Sequence, residues 1–131
     1  MRKALAYIII LVLFLTWEKA QAQRLLSDQA RISLLTLAPG EAVYSAFGHS
    51  ALRVYDPAAG FDFAFNYGTF DFNTPNFIWR FASGDLMYML SVGRTESFLR
   101  GAAYEGRAVQ EQVLALSPSQ ADRLLLLLQQ N

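Results

Sequence analysis

The side chain in this sequence best suited to proton transfer is that of His49, the only histidine in the chain. A histidine gains and loses a proton near neutral pH, which suits it to general acid–base catalysis. It follows Gly48 and begins a segment, residues 49–55, in which small or apolar residues alternate with polar ones as in a half-buried strand. A lone histidine is more often structural than catalytic, so its role depends on the groups that the fold places beside it.

Asn66 is the leading candidate for a partner of this histidine. A histidine that acts as a base with a nucleophile needs a third group to fix its tautomer. Asn66 lies on the polar side of a second predicted strand, residues 61–67, which the turn at 56–60 joins to the first as an antiparallel hairpin. Tyr67 and Asp71 are alternative orienting groups, and in a structural interpretation Asn66 satisfies a loop backbone.

Three further side chains are candidates for substrate contact: Tyr44, Tyr67 and Arg53. Arginine suits planar recognition of a carboxylate or phosphate, although a solvated strand face is the more ordinary use of Arg53. Tyr44 and three phenylalanine residues would line a groove for an acyl chain or, in the more common case, pack in the core. The three phenylalanine residues are Phe65, Phe70 and Phe72. Neither Ser45 nor Ser50 lies in a nucleophile elbow, and one histidine without cysteine predicts no metal site and no cofactor.

The start of the chain predicts export. Arg2 and Lys3 precede an apolar run at residues 4–17, and the small residues around Gln21 provide a cleavage site. Residues 1–22 therefore fit a secretory signal peptide cleaved after Ala22. The alternative is an uncleaved membrane anchor, but the run is shorter than the about 20 residues that a spanning helix needs.

Residues 23–131 have the length of one small domain. Of the 11 basic and 11 acidic residues in the chain, three basic and one acidic residue lie in 1–22, which leaves 8 and 10 and a formal charge of −2. Nucleic acid is therefore not an expected partner, because its binding requires a basic surface.

The pattern of apolar residues and breakers predicts the order β, short turn, β–β, α, β, α, β, α. The clearest signal is the run 117–120, where Ser117 caps a helix, Pro118 takes its first position and Gln120 closes a capping box. Five leucines at 124–128 leave that helix without a clean polar face, which predicts burial on several sides.

The other predicted strands are 31–37, 86–92 and 107–116, and the other helices are 75–82, capped by Thr74, and 95–104. Gly68 is expected to end the strand before it. This order predicts an α+β domain with a mostly antiparallel sheet and flanking helices.

Several runs in the chain together resemble one protein family. They are residues 39–41, 44–56, 66–72 and 74–77, with later matches at Arg107 and 111–114. The similarity covers nearly all of residues 30–131, and the run around Asn66 is its most specific part. The family is the N-terminal periplasmic domain of Lnb-type bacterial lipoprotein N-acyltransferases.

The resemblance implies a papain-like thiol fold, similar to circularly permuted NlpC/P60 proteins, in which the catalytic histidine precedes the cysteine in sequence. That histidine carries over to His49, whereas the orienting role of Asn66 is inferred from geometry alone. In the family an Asn-Cys motif follows the leucine-rich helix, and membrane helices follow the domain. The chain ends at Asn131, so we expect it to be an incomplete, N-terminal fragment of such an enzyme.

The function that the resemblance implies is acyl transfer in the periplasm. A cysteine would take an acyl chain from a phospholipid or a diacylglyceryl group and pass it, through a thioester, to the N-terminal cysteine amine of a lipoprotein. The implied partners are the lipoprotein N-terminus, the phospholipid donor and, through C-terminal helices, the membrane surface. The alternatives are an NlpC/P60-like cell-wall amidase or peptidase and a non-catalytic periplasmic module.

Overall fold

The computed structural model describes residues 24–130, which form a five-stranded antiparallel sheet with helices packed against it. The strands are β1 (Arg31–Leu37), β2 (His49–Asp56), β3 (Phe61–Thr69), β4 (Met89–Arg94) and β5 (Val109–Val113). The helices are α1 (Phe77–Ser83), α2 (Thr95–Tyr104) and α3 (Pro118–Gln129), and a 3-10 turn at Val43–Ser45 joins β1 to β2. The sheet order is β4-β3-β2-β1-β5. The predicted α+β class, antiparallel sheet and order of elements are confirmed, while the predicted signal peptide at residues 1–22 lies outside the described residues.

One face of the sheet, the core face, is covered by α3. The buried side chains of this face include Ile32 and Val54, which form one apolar cluster with Leu125 and Leu128 of the helix. Leu126, by contrast, remains 44% exposed. The leucine run is therefore buried on one side only, because the helix packs against a single sheet. No helix within residues 24–130 is long and apolar enough to cross a bilayer.

The capping box at the start of α3 is present as predicted. The Ser117 hydroxyl accepts a hydrogen bond from the Gln120 backbone N–H, and the Gln120 side chain accepts one from the Ser117 N–H at 2.8 Å. Pro118 occupies the first helical position, where its missing N–H has no helical partner to lose.

The other face, here called the site face, carries His49, Ala51 and Arg53 on β2. Side chains alternate between the two faces of a strand, so these three residues point away from α3. Helix α2, in which Ala102 is buried, contacts β3 and β4. Ala64 of β3 is buried on this face.

The segment before β1 is anchored by two carboxylates. Leu26 lies in the core cluster, and its N–H donates to Asp122 of α3 at 3.0 Å. The buried Asp56 accepts hydrogen bonds from the Ser27 N–H at 2.7 Å and the Ser27 hydroxyl at 2.6 Å. These bonds, helped by two from the following turn, lower the pKa of Asp56.

Two predicted boundaries near the candidate site differ from the structure. Helix α1 begins at Phe77 after Asn76, whose φ of 57° is left-handed, and not at the proline after Thr74. Thr74 instead closes a turn, since its N–H donates to the Asp71 carbonyl at 3.1 Å. Strand β3 does not end at Gly68 but continues to its next residue through a bulge.

Two further boundaries, those of β4 and β5, also differ. Strand β4 covers Met89–Arg94 because it pairs with β3 only from Met89 onward. Strand β5 covers Val109–Val113, the residues that pair with β1. Helix α2 covers Thr95–Tyr104, as predicted, with Arg94 at its N-cap and Thr95 as its buried first residue.

Candidate functional site

His49 occupies the first position of β2, opposite Leu37 at the end of β1. The chain enters the strand through Gly48, which has a φ of 77°. A Cβ at Gly48 would lie 2.8 Å from the Leu37 carbonyl oxygen, closer than atoms pack, and the positive φ is unfavourable for other residues. The Gly48 N–H also donates to the Ser45 carbonyl at 3.1 Å. The glycine before His49 is therefore required by the geometry of the turn.

Asn66 contacts the imidazole because of the register between β2 and β3. Asn66 lies opposite Ala51, two positions from His49 and on the same face, which makes it a diagonal neighbour of the histidine. His49 Nε2 donates a hydrogen bond to Asn66 Oδ1. The structure shows no hydrogen bond from His49 to Tyr67 or Asp71, the two alternatives that the sequence left open.

This bond determines which nitrogen of the imidazole is available for chemistry. A neutral histidine carries one ring proton, and here Nε2 carries it as the donor to Asn66. Within residues 24–130 no group is hydrogen-bonded to Nδ1, and the side chain is only half-buried. The site therefore holds an oriented imidazole with a free, basic nitrogen, which is the arrangement a general base requires.

Tyr67 lies apart from this pair. It follows Asn66 directly in β3, so its side chain is on the opposite face of the sheet, where it is 43% exposed. Phe65, two residues earlier, is buried in the core cluster on the same face. The structure therefore does not bring Tyr67 or Phe65 to His49.

Arg53 lies on the site face, about 13 Å from His49 along β2. Its guanidinium makes two hydrogen bonds to Asp62 of β3, at 2.8 and 2.7 Å, and two to Glu111 of β5, both at 3.1 Å. The hydrogen bonds from Arg53 lower the pKa of Asp62, and the same pair raises the pKa of the arginine. The guanidinium also lies 5.0 Å from the ring centre of Tyr55. Arg53 thus links three strands, and each of its three guanidinium nitrogens already donates to a carboxylate.

Tyr44 belongs to a group of six aromatic rings that contact one another, called the aromatic cluster below. Neighbouring ring centres are 5.0–6.3 Å apart in edge-on, tilted and stacked arrangements. Its members are Tyr44, Phe70, Phe72, Phe77, Phe81 and Tyr88. Phe72 is 59% exposed, so the cluster reaches the surface. On α1 the surface continues as a shallow cleft of about 480 Å³ lined in part by Ile78 and Trp79.

Tyr88 connects the aromatic cluster to the histidine. A Cβ built on Gly68 would lie 3.6 Å from His49 Cε1 and 3.9 Å from Tyr88 Cδ1. The imidazole and the phenol ring therefore flank the same glycine. Tyr88 also contacts Phe70, with ring centres 6.0 Å apart.

Two residues near Asn66 were absent from the sequence-based candidates. Thr69 Oγ1 and Ser91 Oγ share a hydrogen bond of 2.7 Å, and Ser91 lies opposite Asn66 on β4. The available signal was Gly68, because a glycine inside a strand often marks a bulge or a close approach of another group. Within the described part of the chain, no set of three or more His, Cys, Asp or Glu side chains could hold a metal ion.

Comparison with known proteins identifies one family. The model of the family described as the Lnb N-terminal periplasmic domain matches residues 16–131. No curated protein and no solved structure matches the chain. The matched range includes every strand, every helix and both members of the His49–Asn66 pair.

Proposed function

The chain belongs to the family of Lnb N-terminal periplasmic domains, and we propose that His49 is the general base of a lipoprotein N-acyltransferase. The observation that carries the proposal is the hydrogen bond from His49 Nε2 to Asn66 Oδ1, which leaves Nδ1 free. An imidazole oriented by an asparagine forms two-thirds of the Cys-His-Asn arrangement of papain-like enzymes. In this proposal the sheet and helices are part of a permuted papain-like, NlpC/P60-like fold, residues 1–22 direct export, and residues 23–131 are the N-terminal part of the acyltransferase domain.

The proposed reaction has two acyl-transfer steps. The thiol comes from a cysteine outside these 131 residues, which contain none. His49 Nδ1 takes the thiol proton, and the thiolate attacks the ester carbonyl of a phospholipid or diacylglyceryl acyl chain. The ester C–O bond breaks, and the imidazolium gives its proton to the leaving alcohol oxygen. The α-amine of a lipoprotein N-terminal cysteine then attacks the thioester, an amide forms, and the amine proton passes through His49 to the departing thiolate.

The aromatic cluster supports a lipid as the acyl donor. Tyr88 of the cluster and His49 both lie close to Gly68, and Phe72 of the cluster is exposed to solvent. Trp79 and Ile78 of α1 are 75% and 54% exposed, so the apolar surface extends beyond the cluster. Contiguous exposed apolar surface marks sites that bind apolar ligands, membranes or proteins, and tryptophan and tyrosine favour the membrane–water interface. The charge of −2 over residues 23–131 argues against nucleic acid as the partner.

The experiment replaces His49 by alanine in the protein that the native gene encodes. A reporter lipoprotein is produced in the same cells, and the mass of its N-terminal peptide reports whether an amide-linked acyl chain has been added. We expect the H49A variant to lose this acyl chain. The matched control is Glu96→Ala on the exposed side of α2, which pairs weakly with Arg100 at 3.7 Å and should retain acylation.

Retained acylation in H49A, at protein levels equal to those of the control, would exclude the histidine as the base. The same cells also discriminate between enzyme classes. If H49A changed the release of cell-wall peptides while the reporter mass stayed the same, the protein would be an amidase or peptidase. If neither changed, the domain would be a non-catalytic module.

A further inference from the structure

Strand β3 carries one extra residue beside the candidate site. Tyr67 pairs with Leu90 and Thr69 pairs with Met89, so Gly68 has no partner on β4. Its φ of 87° is in the left-handed region, which glycine adopts without steric cost. This is a β-bulge, a feature that redirects the side chains after it and is common next to active sites.

The first consequence of the bulge concerns Thr69. In a regular strand Thr69 would share the face of Tyr67, but the extra residue puts it opposite Met89, on the same face as Ser91. There the Thr69 hydroxyl bonds to Ser91 Oγ at 2.7 Å and donates to the Asn66 backbone carbonyl at 3.4 Å. The bulge therefore ties the backbone of Asn66 to β4.

The second consequence concerns the imidazole itself. Continuing the register of β2 and β3 past Asn66 brings Gly68 next to His49, and the Cε1 edge of the ring lies over the glycine. Cε1 is bonded to both ring nitrogens, so its position sets the orientation of the ring. That orientation determines whether Nε2 can donate to Asn66 while Nδ1 stays free of a hydrogen bond. A Cβ added at Gly68 would also lie 3.9 Å from Tyr88 Cδ1, so the phenol ring approaches the same glycine.

We propose that the Gly68 bulge, fixed by the Thr69–Ser91 hydrogen bond, positions the His49–Asn66 pair so that Nε2 carries the proton and Nδ1 stays free. Gly68 and Thr69 are positioning residues, because they act through the pair and not on the substrate. The catalytic meaning of this role rests on the proposed function, whereas the geometry of the imidazole can be measured independently of any reaction.

The experiment uses the imidazole signals of the full, isotope-labelled chain. Because the chain has one histidine, a long-range proton–nitrogen correlation spectrum contains a single imidazole, and its nitrogen shifts show which nitrogen is protonated. We expect Gly68→Ala to lower the ratio of the Nε2-protonated to the Nδ1-protonated form, since alanine disfavours the positive φ and the bulge must rearrange. The matched control is Gly60→Ala, which has a similar φ of 64° but no atom within 4 Å of the added Cβ. This control should lose comparable thermal stability and keep the wild-type imidazole spectrum.

A folded G68A variant with the wild-type imidazole spectrum would overturn the proposal. If G68A does not fold, the Thr69→Val variant tests the proposal instead, because it removes the hydroxyl bonded to Ser91 and keeps the side-chain volume. We expect it to shift the imidazole signals, while Thr36→Val, at an exposed position on β1, leaves them unchanged. Unchanged signals in T69V would also overturn the proposal. Since the spectrum requires no acyl transfer, this outcome is separate from loss or retention of acylation in H49A.

Discussion

Replacing Asn66 by alanine tests the geometry on which the proposed chemistry depends. The change removes the acceptor of the His49 Nε2–H and leaves the backbone pairing of β3 with β2 in place. A neutral hydrogen bond contributes about 1 kcal/mol net, which corresponds to about a fivefold change in an equilibrium. We therefore expect the ratio of Nε2-protonated to Nδ1-protonated histidine to fall about fivefold in N66A, measured above neutral pH by the proton–nitrogen correlation spectrum.

The matched control is Asn73→Ala, because Asn73 is exposed and its amide donates to Asp71 at 3.1 Å, away from the histidine. N73A should keep the wild-type tautomer ratio. A folded N66A variant with the same ratio as the wild type and N73A would refute the orienting role of Asn66. In that case Asn66 would be adjacent to the imidazole without orienting it.

Two further predictions concern stability. Arg53→Met should lower the free energy of unfolding by about 1–2 kcal/mol in urea titrations, because it leaves two partly exposed carboxylates without their shared cation. Arg100→Met, whose pair is on the exposed side of a helix, should change it by less than about 0.5 kcal/mol, and equal losses for the two variants would contradict the prediction. Asp56→Asn should destabilise the protein at neutral pH and much less in acid, because the pKa of Asp56 is lower in the folded than in the unfolded state. The contribution of the carboxylate to the free energy of unfolding is therefore fully present above the unfolded pKa and is lost as the pH falls through the folded pKa. Urea titrations at neutral and acidic pH test this, and a destabilisation that stays constant with pH would contradict it.

Local signals in the sequence predicted most of the fold. The capping box at Ser117 and the hairpin formed by β2 and β3 were correct because their determinants lie within a few residues of each other. The helix cap at Thr74 was wrong although the local signal was good. The turn closed by its bond to Asp71 and the left-handed Asn76 delay the helix to Phe77.

The candidate site was predicted in part for the same reason. His49 and Asn66 were identified from residue chemistry and from the alternation of each strand, and the structure joins them by a hydrogen bond. Arg53 illustrates the opposite case. Its partners Asp62 and Glu111 lie on two other strands, and Glu111 is 58 residues away in sequence, so the sequence could not show that the guanidinium was already occupied.

The sequence by itself determined which side chains can do chemistry and that the strands alternate. Only the tertiary structure decided that Asn66, and not Tyr67, meets the imidazole, that Gly68 forms a bulge instead of ending a strand, and that Tyr88 lies beside it. The physical reason is the range of the interactions. Alternation and capping depend on near neighbours in the chain, whereas cross-strand register depends on the pairing of segments that are distant in sequence, and a shift of one residue moves a side chain to the other face.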